Sequence, residues 1–130
     1  SIEKNIGKVI SIVKLTGQNK QDIDNVGTKL AMHIAAQSPI AINQDGINKN
    51  ILDKELEIIK EELKNSGKKD DMIDKIASGK IKKFISENTL LDQSWIMDTK
   101  ITVKQFLKQF SKNGEIKVAD FVRFKVGEGI

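Results

Sequence analysis

Few side chains in this sequence have the type and spacing that chemistry requires. His33 is the single histidine, and cysteine is absent, which excludes a thiolate nucleophile and a thiolate metal site. A histidine in an apolar helical pattern is usually packed, and a metal ligand would need partners that the sequence lacks. Ser78-Gly79-Lys80 and Gly127-Glu128-Gly129 lack the spacing of a phosphate-binding loop. We therefore expect no catalytic residue, no metal and no cofactor, and we expect that the protein is not an enzyme.

The feature that stands out is a run of three large apolar residues, Trp95, Ile96 and Met97, with Asp92 and Asp98 on either side. Trp95 is expected to fill the core, because so large a ring is usually mostly buried. Three consecutive residues of an extended loop cannot all point inward, so Ile96 or Met97 should reach the surface. An apolar anchor surrounded by polar groups is typical of a protein interface.

The segment from about Asn50 to Leu91 predicts two amphipathic helices folded back on each other. Its apolar stripes are Leu52, Leu56, Ile59 and Leu63, followed by Ile73, Ile76, Ala77, Ile81, Phe84 and Ile85. The break spans Ser66 to Asp70, with Gly67 as the left-handed closing residue and Asp70 as the cap of the second arm. Gly79 interrupts the second arm, which predicts close packing where the hairpin meets the rest of the molecule.

The charges of the two arms are complementary. The first arm is net −2 and the second is net +2, so flanking side chains should attract each other across the seam. Exposed pairs contribute only tenths of a kcal/mol each, so the charges would fix orientation while apolar burial stabilises the pair.

The rest of the chain predicts a base from which this hairpin protrudes. Strands are predicted at Ile6–Leu15, Pro39–Ile42 and Ile116–Val126. Helices are predicted from Asp22, as the cap, to Gln37, and from Thr102, with Gln105 in capping-box spacing, to Asn113-Gly114. On the first strand Lys8, Ile10, Ile12 and Lys14 share a face, whose middle should be buried. The order has no βαβ repeat, which indicates an α+β fold with a small antiparallel sheet of about three strands packed with helices.

Composition excludes several classes of protein. No apolar run approaches the roughly 18 residues of a membrane span, and no signal peptide is visible. The net charge is +4, but only Arg123 among the 22 basic residues is an arginine, and aromatic residues are scarce. Because nucleic-acid binders usually rely on arginine forks and aromatic stacking, nucleic acid is not the expected ligand. The absence of cysteine is consistent with a cytoplasmic location.

Four segments, in this order and covering nearly the whole chain, resemble the translation elongation factor Ts family. They are Leu30-Ala31-Met32-His33-Ile34-Ala35-Ala36, Gly79-Lys80-Ile81-Lys82-Lys83-Phe84, Gln93-Ser94-Trp95-Ile96-Met97-Asp98 and Phe121-Val122-Arg123-Phe124-Lys125-Val126-Gly127-Glu128-Gly129. The resemblance is to the C-terminal half of the family's core, called the dimerisation domain. It implies one such domain over residues 1–130, with the coiled-coil hairpin inserted at about 50–91.

This resemblance implies a binding function. Family members promote release of GDP from elongation factor Tu by stabilising its nucleotide-free form, without bond chemistry. The family's N-terminal module and its Thr-Asp-Phe segment would lie upstream of Ser1, and the half present here would dock on the partner's third domain. The implied partner-binding residues are Trp95, Ile96, Met97 and Asp98. We therefore expect a cytoplasmic chain that binds elongation factor Tu but exchanges nucleotide poorly by itself.

A second interpretation stays open. The chain could be a stand-alone coiled-coil module for protein interaction or dimerisation, with the hairpin as its working surface and a homodimer as a further partner.

Overall fold

The computed structural model describes residues 8–110 and 116–126, which form an α+β fold as predicted. The strands are β1 (Lys8–Thr16), β2 (Ser94–Trp95), β3 (Asp98–Thr102) and β4 (Lys117–Val126). The helices are α1 (Lys20–Gln37), α2 (Lys49–Asn65), α3 (Asp70–Asn88) and α4 (Val103–Phe110). The predicted ends at Ile6 and at Asn113-Gly114 lie outside the described residues. No helix in the described part of the chain is long and apolar enough to cross a bilayer.

A long two-stranded ribbon forms one side of the base. β1 and β4 pair antiparallel from Lys8 opposite Val126 to Thr16 opposite Lys117, with an irregularity after Lys14. The inner face of the ribbon packs on α1: the Ser11 hydroxyl donates to the Ala31 carbonyl. Arg123 donates from two guanidinium nitrogens to the Ala35 carbonyl, at 3.1 and 3.2 Å. These polar contacts tie the ribbon to the helix across the core.

The prediction that the middle of one face of the first strand is buried was wrong, because this face is the outer face of the ribbon. Ile10 and Ile12 were expected to be buried, but they are 38% and 60% exposed, because no described element covers them. Val122, Phe124 and Val126 lie on the same face of β4 and are also exposed. This surface, which we call the ribbon outer face, consists of Ile10, Ile12, Val122, Phe124 and Val126.

The prediction of a strand at Pro39–Ile42 was wrong, and with it the sheet of about three strands. The described residues form two separate two-stranded sheets, β1–β4 and β2–β3. Ala41 makes only an isolated bridge with Thr89. The segment instead follows the chain that leaves α3, with hydrogen bonds from Ile40 N–H to Asn88 O and from Leu90 N–H to Ala41 O, both 2.8 Å. The segment is short and begins with a proline, which has no N–H to donate. It therefore bonds to the neighbouring chain after α3 and does not join a sheet.

The core of the base lies between α1, α4 and the segment that joins α3 to β3. Its buried members are Val26, Leu30, Ile34, Leu90, Trp95, Val103, Phe106, Leu107 and Ile116. The cap of α1 is Asn19, whose side chain accepts the N–H of Asp22 at 3.1 Å, so the assignment of Asp22 as the cap was wrong. The helix ends as predicted before Pro39, where Ser38 adopts a left-handed conformation with φ 49°.

The helical hairpin has the predicted form. Its seam buries Ile59, Leu63, Ile73 and Ala77, with Leu56, Ile76 and Ile81 partly buried beside them. Gly67 closes α2 with φ 84°. Asp70 is the first residue of α3 and not its cap, which is Lys69 without a side-chain hydrogen bond.

Two other expectations for the hairpin had different outcomes. Flanking charges attract each other across the seam as predicted, through an ion pair of Lys60 with Asp74 at 3.4 Å, although its lysine lies on the arm of net charge −2. The expectation for Gly79 was wrong. Gly79 is exposed, and a Cβ placed there would meet nothing within 4 Å. The glycine therefore does not serve close packing within the described molecule.

Candidate partner-binding site

The run of large apolar residues forms the tip of a small β-hairpin and not an irregular loop. β2 pairs antiparallel with β3, Trp95 lies opposite Asp98, and Ile96 and Met97 make the connecting turn. Neither turn residue has a positive φ, so the turn is not one of the glycine-dependent hairpin types. Two large apolar side chains can therefore occupy a turn position without backbone strain.

Exposure differs sharply along this turn. Trp95 is 3% exposed and Met97 is 54% exposed, while Ile96 is half-buried between them. Asp98 is exposed, and its carboxylate accepts the N–H of Lys100 at 3.1 Å, which fixes the start of β3. The sequence prediction that Trp95 fills the core, and that Ile96 or Met97 reaches the surface, is confirmed.

A stack of rings supports the turn from below. Trp95 lies between Phe106 of α4 and His33 of α1, with ring centroids 4.2 and 5.3 Å away and interplanar angles of 13° and 18°. Phe110 extends the stack at 5.9 Å from Phe106. Because Trp95 directly precedes the turn and is held on both faces, the base of the turn has little freedom to move.

His33 connects this stack to the backbone of the turn. It is fully buried, its Nε2 lies 2.9 Å from Gln93 Oε1, and its Nδ1 accepts the Ile96 N–H at 3.4 Å. If Nδ1 accepts, the proton resides on Nε2, which donates to Gln93. Burial lowers the pKa of His33 below its usual 6.5, against a smaller raising effect of the Gln93 hydrogen bond. The imidazole is therefore neutral, as its acceptor role requires.

Gln93 satisfies the remaining polar groups beneath the turn. Its amide nitrogen donates to the carbonyls of Glu87 and Gln37, at 2.9 and 3.2 Å. Gln93 is 6% exposed, and no buried side-chain donor or acceptor in the described part of the chain is left unpaired. One amide thus ties α1, the end of α3 and His33 together, and a buried network with every member satisfied is rigid.

The other end of the β-hairpin is held by α4. Thr102 and Gln105 form the predicted capping box: the Thr102 hydroxyl accepts Gln105 N–H at 3.2 Å, and Gln105 Oε1 accepts Thr102 N–H at 2.9 Å. Val103 N–H donates to the Gln93 carbonyl at 3.0 Å. Both strands of the hairpin are therefore anchored to the start of a helix whose Phe106 stacks on Trp95.

The arrangement presents a shaped apolar contact. No three metal-ligating side chains come together among the described residues. Of the four residues predicted to bind a partner, Ile96, Met97 and Asp98 reach the surface, and Trp95 lies beneath them. Sequence reasoning treated His33 as a packed histidine and gave Gln93 no role. Gln93 lies 60 positions from His33, and no local pattern signals their contact.

Comparison with known proteins gives a consistent result. Residues 3–128 match the model of a family described as Elongation factor TS. The chain is 36% identical over 127 residues to "Elongation factor Ts" of Clostridium kluyveri, covering 95% of this chain and 42% of that protein. It is 41% identical over 109 residues to "Elongation factor Ts" of Fervidobacterium nodosum, covering 82% of this chain and 55% of that protein.

A third relative, "Elongation factor Ts" of Erythrobacter litoralis, is 36% identical over 133 residues, covering all of this chain and 43% of that protein. The chain therefore spans about half the length of the relatives that it matches.

Proposed function

The chain belongs to the elongation factor Ts family, and from this premise we propose that it binds elongation factor Tu through the turn formed by Ile96 and Met97. The observation that carries the proposal is that the turn exposes an apolar side chain although its base is rigidly held. Met97 is 54% exposed, yet the turn stands on a tryptophan held in a ring stack and on a backbone hydrogen bond to a buried histidine. An apolar anchor on a rigid base loses little conformational entropy when a partner covers it.

The proposed contribution to function is binding without bond chemistry. A factor that prefers the nucleotide-free form of a GTPase lowers the affinity of that GTPase for GDP, and GDP must weaken factor binding by the same ratio. We propose that the chain supplies docking affinity away from the nucleotide, acts in the cytoplasm, and needs no cofactor. We propose that its role is that of a binding protein and not of an enzyme.

A pair of methionine variants tests the docking surface. We expect Met97→Asp to weaken binding to nucleotide-free elongation factor Tu at least tenfold, about 1.4 kcal/mol, because a charge would replace the central apolar contact. Met72→Asp is the matched control, since Met72 is similarly exposed, at 45%, but lies in the first turn of α3. Isothermal titration calorimetry measures both affinities. Equal losses, or none in either variant, would remove the turn from the interface.

A second candidate is binding through the helical hairpin. Ile51 and Ile58 lie seven positions apart on α2, hence on one face, and are 45% and 42% exposed. Replacing residues 51–85 by a short turn separates the two surfaces. Retained binding to elongation factor Tu assigns docking to the base, whereas complete loss in a variant whose base stays folded assigns it to the hairpin.

A homodimer is the third candidate, and the ribbon outer face favours it. Its five exposed apolar residues form a continuous patch on paired strands. Contiguous apolar surface of this kind marks protein interfaces. Sedimentation equilibrium of the wild-type chain and of Phe124→Lys tests it. A dimer that the substitution converts to monomer supports this surface, and a wild-type monomer at all concentrations rejects it.

A further inference from the structure

A concave site separate from the turn lies where α4, the start of β4 and the segment after Pro39 meet. Its cavity measures about 330 Å³. The apolar part of its lining is Ile42, Leu91, Leu107, Ile116 and Val118. The Ile96–Met97 turn contributes no residue to this lining, so the docking proposed above leaves the cleft unused. We call it the α4 cleft.

The polar lining of the α4 cleft has one sign of charge. Lys104, Lys108 and Lys117 border it together with Asn43, and no acidic side chain in the described ranges lines it. Lys104 and Lys108 lie four positions apart on α4 and therefore share a face. All three lysines are exposed, and the ion pairs of the described residues involve other lysines, Lys60 and Lys83. An apolar floor beside three lysines that form no ion pair with another described residue complements an apolar group that carries carboxylates nearby.

The size of the cleft and its lack of fixed polar groups indicate which kind of ligand fits. A volume of about 330 Å³ lies at the lower end of the roughly 300–1,000 Å³ that ligand pockets span. It suits one large apolar side chain better than a larger ligand. Small-molecule sites usually fix orientation with rigidly held polar groups. Here the polar lining is one amide and three long, mobile side chains, which select charge but not geometry.

We propose that the α4 cleft binds an acidic segment of a second protein, which inserts a large apolar side chain against Leu107 and Val118 and places its carboxylates beside Lys104, Lys108 and Lys117. The contact does not depend on docking at the turn. Lysine stems cover the apolar edge of the inserted side chain, while their ammonium groups stay in water near the carboxylates. The attraction should weaken as salt is added, because these charges are exposed.

Selection from a random dodecapeptide display library on the immobilised chain tests the proposal. The enriched peptides should share one Trp, Phe, Leu or Met flanked by at least two Asp or Glu residues. Fluorescence anisotropy of the most enriched peptide, labelled with fluorescein, then gives its affinity for the wild type and for two kinds of variant. A combined Lys104→Glu, Lys108→Glu and Lys117→Glu variant should bind at least tenfold more weakly.

The matched control carries Lys75→Glu, Lys80→Glu and Lys82→Glu, three exposed lysines of α3 outside the cleft, and changes the net charge equally. Its affinity should stay within twofold of wild type. Asn43→Phe tests the apolar half of the site. Asn43 lines the cleft with an extended backbone, φ −141° and ψ 179°, and its side chain makes no cap hydrogen bond. A phenylalanine there should fill the cavity and abolish binding without unfolding the chain, which circular dichroism monitors.

Three results would overturn the proposal. The first is enrichment of peptides without an acidic bias, and the second is equal binding to wild type, the cleft lysine variant and Asn43→Phe. The third is occupation by a small amphiphile only: if dodecanoate perturbs the amide resonances of Leu107 and Val118 while the enriched peptide perturbs neither, the cleft is a small-ligand site. If one variant fails to fold, the remaining variant and the resonance map decide the outcome.

Discussion

His33 lies under the Ile96–Met97 turn with both ring nitrogens in hydrogen bonds, one of which requires an unprotonated Nδ1. Burial lowers its pKa below 6.5, so the folded chain resists a proton that the unfolded chain accepts. The stabilisation is complete above about pH 6.5 and falls as the pH drops below that value. We expect the free energy of unfolding, measured by urea titration, to fall between pH 7.5 and pH 5.5. The lower limit stays above the usual pKa range of carboxyl groups.

The control for this prediction is His33→Gln, which removes the titrating group. The variant should be less stable at neutral pH, because a buried ring of the stack is lost. Its loss of stability on acidification should be smaller than that of the wild type. An equal pH dependence in the two proteins would mean that groups other than His33 cause it.

At the scale of single residues, burial could be predicted from side-chain size, whereas contacts between distant positions of the chain could not be predicted. The burial of Trp95 and the exposure of Met97 follow from a large ring and from the impossibility of burying three consecutive side chains. The contact of His33 with Gln93 spans 60 positions and depends on how α1 meets the chain after α3. No spacing rule contains that information, so the support of the turn emerged only from the structure.

At the scale of helices and strands, two glycines of the hairpin give a matched pair of predictions: alanine should stabilise the chain at one of them and destabilise it at the other. A Cβ at Gly67 or at Gly79 would meet nothing within 4 Å, so only backbone conformation distinguishes them. Gly79 lies inside α3, where alanine is preferred by about 0.5–1 kcal/mol. Gly67 has φ 84°, where a side chain costs about 1–2 kcal/mol. We expect Gly79→Ala to raise the thermal unfolding midpoint and Gly67→Ala to lower it; shifts of the same sign would contradict this account.

The start of α4 offers a second element-scale prediction. Thr102→Ala removes the side-chain half of the capping box and should destabilise the chain by about 1 kcal/mol. Because α4 carries Phe106 against Trp95, binding at the turn should weaken as well. Thr28→Ala is the control: the Thr28 hydroxyl bonds back to Asp24 O within α1, an interaction that gives a helix no net support. Urea unfolding compares the two, and equal losses would argue against a specific role of the cap.

Elements that depend on residues close together in the sequence were predicted, and those that depend on contacts with distant parts of the chain were not. The apolar stripe of each hairpin arm and the capping box of α4 depend on residues a few positions apart, so apolar periodicity located the first and the spacing of Thr102 and Gln105 located the second. The Pro39–Ile42 segment has a strand composition, but its hydrogen-bond partner is the chain after α3. The exposure of Ile10 and Ile12 depends on whether an element lies over them, which composition does not state.

For the molecule as a whole, the Ile96–Met97 turn and the ring stack belong to the base, and the hairpin meets the base mainly where α3 ends. Docking and hairpin should therefore be separable, as the deletion of residues 51–85 tests. The chain also spans only 42% of the Clostridium kluyveri relative. We propose that docking, which this chain would supply, is separate from the acceleration of nucleotide release, which would need more than this chain.

This division leads to the last prediction, which concerns nucleotide release. Under saturating conditions, we expect the 130-residue chain to accelerate GDP release from elongation factor Tu far less than a full-length elongation factor Ts. Weak acceleration and weak thermodynamic coupling should occur together: GDP should reduce the chain's affinity for elongation factor Tu by less than about tenfold. Stopped-flow release of a fluorescent GDP analogue measures the first quantity, and calorimetry with and without GDP measures the second. At a chain concentration close to the Kd of the wild type, Met97→Asp should reduce whatever acceleration remains, since it weakens docking. Full stimulation by the chain alone would refute the division, because docking at the turn would then suffice to open the nucleotide site.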